Sequence, residues 1–171
     1  MGCDPPRHDQ DEWVARFLTS RPLSTLDGPT LTLDNGTARM LLEDRRTAEP
    51  DRPLRGTKWT VDTIIEGESA SSVPAGAQAH VTFGDGNDRD RFGGHAGCNG
   101  MGGRSVIDEQ ASTIAVSEVV TTKMACDDDT MRLERAVLAT LHGTVGYRIE
   151  SDTLSLHGPG GWGLRLRAST G

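Results

Sequence analysis

The chain repeats itself, and that repetition limits its architecture more than any other feature. Met1-Gly2-Cys3-Asp4 returns as Met124-Ala125-Cys126-Asp127. The same offset of 123 carries Val14 to Val137, Leu18 to Leu141, Leu26 to Ile149, Thr30 to Thr153, Leu31 to Leu154 and Leu33 to Leu156. After one inserted residue, Met40 and Leu42 fall opposite Leu164 and Leu166. An offset shared by a cysteine, a helix-like stretch and an alternating stretch indicates an internal duplication. The expected organisation is the C-terminal half of a first unit at residues 1–46, a linker at 47–53, and a complete unit at 54–171. The half unit implies that the chain lacks its natural beginning.

Within the complete unit most of the chain reads as short strands. Thr57 to Ile65 is β-branched and aromatic, with Trp59, Val61 and Thr63 expected on one face. Glu66 to Ala77 is polar enough to be a loop, and Ala79–Phe83 with Arg89–Phe92 form a hairpin round Gly84-Asp85-Gly86-Asn87. Arg104–Ile107, Thr113–Val116, Val145–Ile149, Thr153–Leu156 and Trp162–Leu166 are further alternating runs. The period changes once. From Asp127 to Leu141, Met131 or Leu133 with Val137, Leu138 and Leu141 share a helical face, with three aspartates at its start and Gly143 past its end. With 21 glycines and 35% apolar residues in 171, an α+β fold follows, an antiparallel sheet of about eight strands curled round one helix. The N-terminal half repeats the helix, with Trp13, Phe17 and Leu18 on its apolar face. It also repeats a hairpin, Thr30–Leu33 with Arg39–Leu42, while Arg45–Pro53 reads as linker.

Cys98 stands in Gly97-Cys98-Asn99-Gly100 and Cys126 in Met124-Ala125-Cys126-Asp127. One reading joins Cys98 to Cys126 and leaves Cys3 unpaired; the other has three reduced cysteines acting as small buried hydrophobes.

Taken in order, Leu54-Arg55-Gly56-Thr57-Lys58-Trp59, Gly97-Cys98-Asn99 with Gly102-Gly103, Thr121-Thr122-Lys123-Met124-Ala125-Cys126, the helix bearing Glu134, and Asp152-Thr153-Leu154-Ser155-Leu156 form a specific signature. On these residues the chain resembles the META domain family, the HslJ-like proteins of bacterial envelopes. The resemblance covers Leu54 to Arg167. It implies a distorted antiparallel sheet cupping one helix, an exported or lipid-anchored protein, and no accepted catalytic activity. Among family members the chain is most similar to those with two units in tandem.

The net charge of −7 with scattered basic residues argues against nucleic acid or an anionic membrane as partner. No cofactor is expected. The five histidines lack metal-ligand spacing, and Asp85-Gly86-Asn87-Asp88-Arg89-Asp90 departs from a calcium loop where Arg89 and Asp90 stand. His95, three residues before Cys98, invites a nucleophile and base pair; a tight turn shaped by Gly97 and Asn99 round a packed or cross-linked cysteine requires fewer assumptions. The expected function is therefore a non-enzymatic, stress-related envelope module that binds or stabilises a protein or envelope component. The alternatives are a cysteine hydrolase using Cys98 and His95, and an inhibitor-like module presenting the Glu66–Ala77 loop. The bare apolar faces of residues 1–46 are expected to dock on the complete domain or to pair with a second copy of the chain.

Overall fold

The computed structural model describes residues 5–169, with side chains from residue 7; Cys3 lies outside the described residues. The chain divides into two compact units, Met1–Pro50 and Asp51–Gly171.

The first unit opens with α1 (Pro5–Thr19), whose leading prolines occupy positions where a missing N–H costs nothing. Three strands follow, β1 (Leu23–Asp27), β2 (Thr30–Asp34) and β3 (Arg39–Glu43), forming an antiparallel sheet in that order. The β2–β3 turn is held by the Asp34 carboxylate, which accepts from Gly36 N at 2.8 Å, while Gly36 takes φ +85°. The sequence reading missed β1, because Leu23 and Leu26 are three apart and break the two-residue alternation of a strand; both are exposed. It also read Arg45–Pro53 as linker throughout. Instead Asp44 caps a short α2 (Arg45–Ala48), accepting from Arg46 N, and Arg52 N donates to Ser151 O within the second unit.

The second unit contains β4 (Lys58–Glu66), β5 (Ser69–Ser72), β6 (His80–Phe83), β7 (Arg91–His95), β8 (Gly100–Asp108), β9 (Thr113–Thr121), α3 (Asp128–Thr140), β10 (Gly143–Glu150), β11 (Thr153–His157) and β12 (Trp162–Ala168). The sheet order is β12-β11-β10-β9-β8-β7-β6-β4-β5, with β12 also pairing β4. Eight strands thus close on themselves, and β5 adds a ninth outside the closure. The expected Glu66–Ala77 loop is therefore partly strand, because the serines of β5 suit an edge open to water. Inside lie Trp59, Phe83, Ile114, Leu154, Leu156 and Leu164, and α3 packs on β12 and β4. Of the helical alternatives it is Leu133, with Ala136, Val137 and Leu141, that is buried. Burial of each of these leucines and of Val137 contributes roughly 1.5–3 kcal/mol.

Thr63 does not share the inward face of Trp59 and Val61. Arg165 pairs with Thr63 but Leu166 with Val61, so Asp62 is a bulge residue and Ile64 becomes the next buried position. Asp62 lies beside Arg165 (2.9 Å) and Arg167 (3.3 Å). Partial burial works against its charge, but hydrogen bonds from Thr63 and Arg165 and the two guanidinium charges prevail, and its pKa lies below the ordinary aspartate value.

The segments related by the offset share their strand pairing residue for residue. Asp27 opposes Thr30 as Glu150 opposes Thr153, and Leu26 opposes Leu31 as Ile149 opposes Leu154. Leu33 opposes Met40 as Leu156 opposes Leu164. Even the terminal bonds recur, since Asn35 N to Ala38 O and Asp44 N to Pro29 O match Gly158 N to Trp162 O and Ala168 N to Asp152 O.

Neighbouring glycines of β7 face opposite demands. A Cβ on Gly94 would sit 2.1 Å from His80 O, whereas one on Gly93 would meet only Met101 O at 3.9 Å. Gly94→Ala is expected to destabilise by about 1–3 kcal/mol and Gly93→Ala by under about 0.5 kcal/mol, read as denaturant midpoints of the two variants.

Candidate functional site

Most of the residues singled out from the sequence converge at one place, where the β7–β8 connection meets α3. Gly97 takes φ +136°, and a Cβ there would come within 3.0 Å of Thr130 O and 3.3 Å of Glu134 N. Glycine therefore lets the connection lie directly on the helix. The next residue, Cys98, forms a disulfide with Cys126, their Cα atoms 5.9 Å apart. It ties the connection to the segment entering α3.

Asn99, buried, is the hub. Its backbone N donates to Glu134 Oε2 at 2.8 Å, and its Nδ2 donates to both Glu134 oxygens at 3.1 Å and to Met124 O at 3.1 Å. Its Oδ1 accepts from Thr122 Oγ1 and Met124 N, both at 2.7 Å. Every polar atom of the side chain is engaged, as burial requires. Glu134, also buried, accepts in place of water from two donor atoms of Asn99, the backbone N and Nδ2. Asp127 caps α3, its carboxylate accepting from Thr130 N at 2.9 Å and Thr130 Oγ1 at 2.7 Å; those bonds, the backbone one first, hold its pKa below the ordinary value.

Trp59 is not brought to this place: it is fully buried on β4 with Nε1 donating to Leu54 O at 3.1 Å. Sequence reasoning did not single out Glu134 and Thr122 as members of the site. The available signal was Glu134 itself, a charged residue three and four positions before Val137 and Leu138 on an otherwise apolar helical face.

The structure does not bring Cys98 and His95 together as nucleophile and base. The Cys98 sulfur is bonded to Cys126, which leaves no thiolate to attack, and the His95 ring stacks on His80 with centroids 6.4 Å apart. The Asp85–Asp90 segment is a hairpin tip containing a single 3₁₀ turn, Gly86–Asp88. No group of three or more metal-ligating side chains occurs among the described residues.

Two cavities open on the second unit. One of about 410 Å³ runs along β6 and β7, bordered by His80, Thr82, Asp88, Arg91, Gly93 and Gly94. The other, about 300 Å³, is bordered by Leu54, Arg55, Ile107, Glu109, Tyr147 and Ile149. In the first, burial and then the positive charges of Lys58 and His95 push the His80 pKa down. In the second, burial and then the Glu109 charge push Tyr147 up, against an opposing effect of Arg55.

The family model described as META domain matches residues 52–170. The chain belongs to the META domain family. An NMR structure of a protein from Burkholderia xenovorans is similar over 69% of this chain and 85% of its own, at 22% identity and a TM-score of 0.57. A second NMR structure is similar over 67% of this chain and 90% of its own, at 12% identity and a TM-score of 0.51. Both likenesses concern the fold. A search of curated proteins found no match.

Asn99→Ala is expected to cost about 3 kcal/mol, since it leaves the buried Glu134 carboxylate only the backbone donor and orphans Met124 N and Thr122 Oγ1. Asn99→Asp would cost more by setting two carboxylates together. Urea midpoints at neutral pH check both. For His80 the unfolded chain takes up the proton first, near its ordinary pKa of about 6.5. Its contribution to stability is complete above that pH and is lost as pH falls toward the lowered folded value. His80→Gln is expected to flatten the stability profile between neutrality and mild acid, measured by denaturant titration at each pH.

Proposed function

We propose that this chain is a non-enzymatic, stress-related envelope module that binds or stabilises a protein or another envelope component. The observation that carries the reading is how the signature is used. Gly97, Cys98, Asn99, Thr122, Met124, Cys126 and Glu134 are engaged with one another, in a buried network and a disulfide. A catalytic set keeps its reactive atoms open to a substrate. Here the same residues fix a helix against a sheet, and recognition falls to the outer surface. A disulfide also suits an oxidising compartment, and the negative net charge suits a partner other than nucleic acid. No helix among the described residues is long and apolar enough to cross a membrane, so attachment to the envelope would come from elsewhere than a described helix.

Two measurements test the reading. Native, non-reduced protein is expected to resist alkylation at Cys98 and Cys126, and reduction is expected to lower stability by about 3 kcal/mol, given a closed loop with a sequence separation of 28. Esterase, amidase and peptidase screens are expected to show no turnover sensitive to Cys98→Ala and His95→Ala. A turnover abolished by both substitutions in folded protein would replace the binding reading with the hydrolase one.

A further inference from the structure

We infer that the outer edge of β3 is a self-association surface, at which two copies of the chain pair antiparallel about a two-fold axis through Leu41. The inference begins with which backbone groups face outward. Asn35 N donates to Ala38 O at one end of the β2–β3 pairing, and Asp44 N donates to Pro29 O at the other. Alternation along an antiparallel strand then turns residues 38, 40, 42 and 44 toward β2 and leaves Arg39, Leu41 and Glu43 with outward N–H and C=O groups. Among the described residues β3 has no strand on that side. Its counterpart does: β12, with the same inward register, pairs with β4 along the matching edge.

The side chains at this edge are not those of a guarded one. Leu41 is 66% and Leu42 45% exposed, whereas Leu166, the counterpart of Leu42, is fully buried. Edges meant to stay open are blunted by charge, proline or a bulge; β3 carries charge only at its ends, Arg39 and Glu43, and its centre is Met40, Leu41 and Leu42.

A second copy fits this edge in one register. With Leu41 opposite Leu41, Arg39 stands opposite Glu43 at both ends, and Met40 stands opposite Leu42 on the other face. Opposite charges and paired apolar side chains directly across are the arrangement that stabilises antiparallel neighbours. Arg39 holds Asp34 through Nε and Nη2, which leaves Nη1 for the second copy. Glu43 has no ion-pair partner among the described residues. The other open edge of this sheet, β1, lacks this property, because a two-fold axis through Thr25 sets Leu23 against Asp27. Nor is β4 of the same chain available, since it already pairs with β12, β5 and β6. A five-residue edge makes a small interface, so association is weak, roughly micromolar or weaker. It is closed by its own symmetry, which gives dimers and not fibres.

The test uses the full chain in sedimentation velocity over about a hundredfold dilution series. The expected result is a mass rising with concentration toward twice 18.3 kDa. Glu43→Arg sets arginine against arginine and Arg39→Glu sets glutamate against glutamate, so each alone is expected to weaken association about tenfold or more. An equimolar mixture of the two variants restores opposite charges at both ends and is expected to associate as the native chain does. Circular dichroism of each variant monitors its folding. A chain that stays monomeric throughout overturns the inference. So does association indifferent to both charge changes, or a mixture that associates no better than its components.

Discussion

The pairing of β12 with β4 is the constraint on which the larger unit depends. It joins the last strand to the first, setting Ala168 opposite Trp59 and bonding Arg165 to Asp62, 103 positions away. Without it β4 would keep only β5 and β6, and α3, which packs on β4 and β12, would lose its floor. The bulge at Asp62 serves this closure. It bends β4, changes which parity faces the core, and places a carboxylate between two arginines of β12.

The smaller unit shows what the same sequence plan looks like when that closure is missing. Leu18 is half exposed where Leu141 is buried. One substitution bears directly on this. A Cβ on Gly158 would lie 2.5 Å from Thr140 O, so α3 rests directly on the β11–β12 turn. Asn35 stands at the equivalent position, and its side chain donates instead to Ser20 Oγ at 3.0 Å while accepting from Thr37 N and Ala38 N. A helix cannot approach an asparagine as it approaches a glycine.

Much of the architecture was legible because two periodicities separate cleanly. The helical face of Leu133, Val137 and Leu141 stands out from the alternation of strands such as Thr153–His157, and residues matched by the offset of 123 take the same strand register in both units. What escaped was set by partners and not by local pattern. β5 is four small residues, three of them serines, that become a strand only because β4 offers an edge, and the bulge at Asp62 is dictated by register across the sheet. At the site, Gly97, Cys98 and Asn99 were visible as a turn. The burial of Asn99 was not, because an asparagine beside glycines reads as solvent-facing until a helix supplies Glu134 to receive its donors.

Strand order also bears on how the larger unit is made. β4 emerges from synthesis before every other strand of its sheet, yet one of its edges waits for β12, the last to appear. Until then a stretch containing Trp59, Val61 and Ile64 is half paired, in a topology dominated by long-range contacts that form slowly. A chain in which β12 is displaced would expose that edge of β4, the kind of unpaired edge that invites aggregation. Cys98 and Cys126 both precede β10, β11 and β12 in the chain, so the bond between them joins parts of the unit that do not include its closing strands.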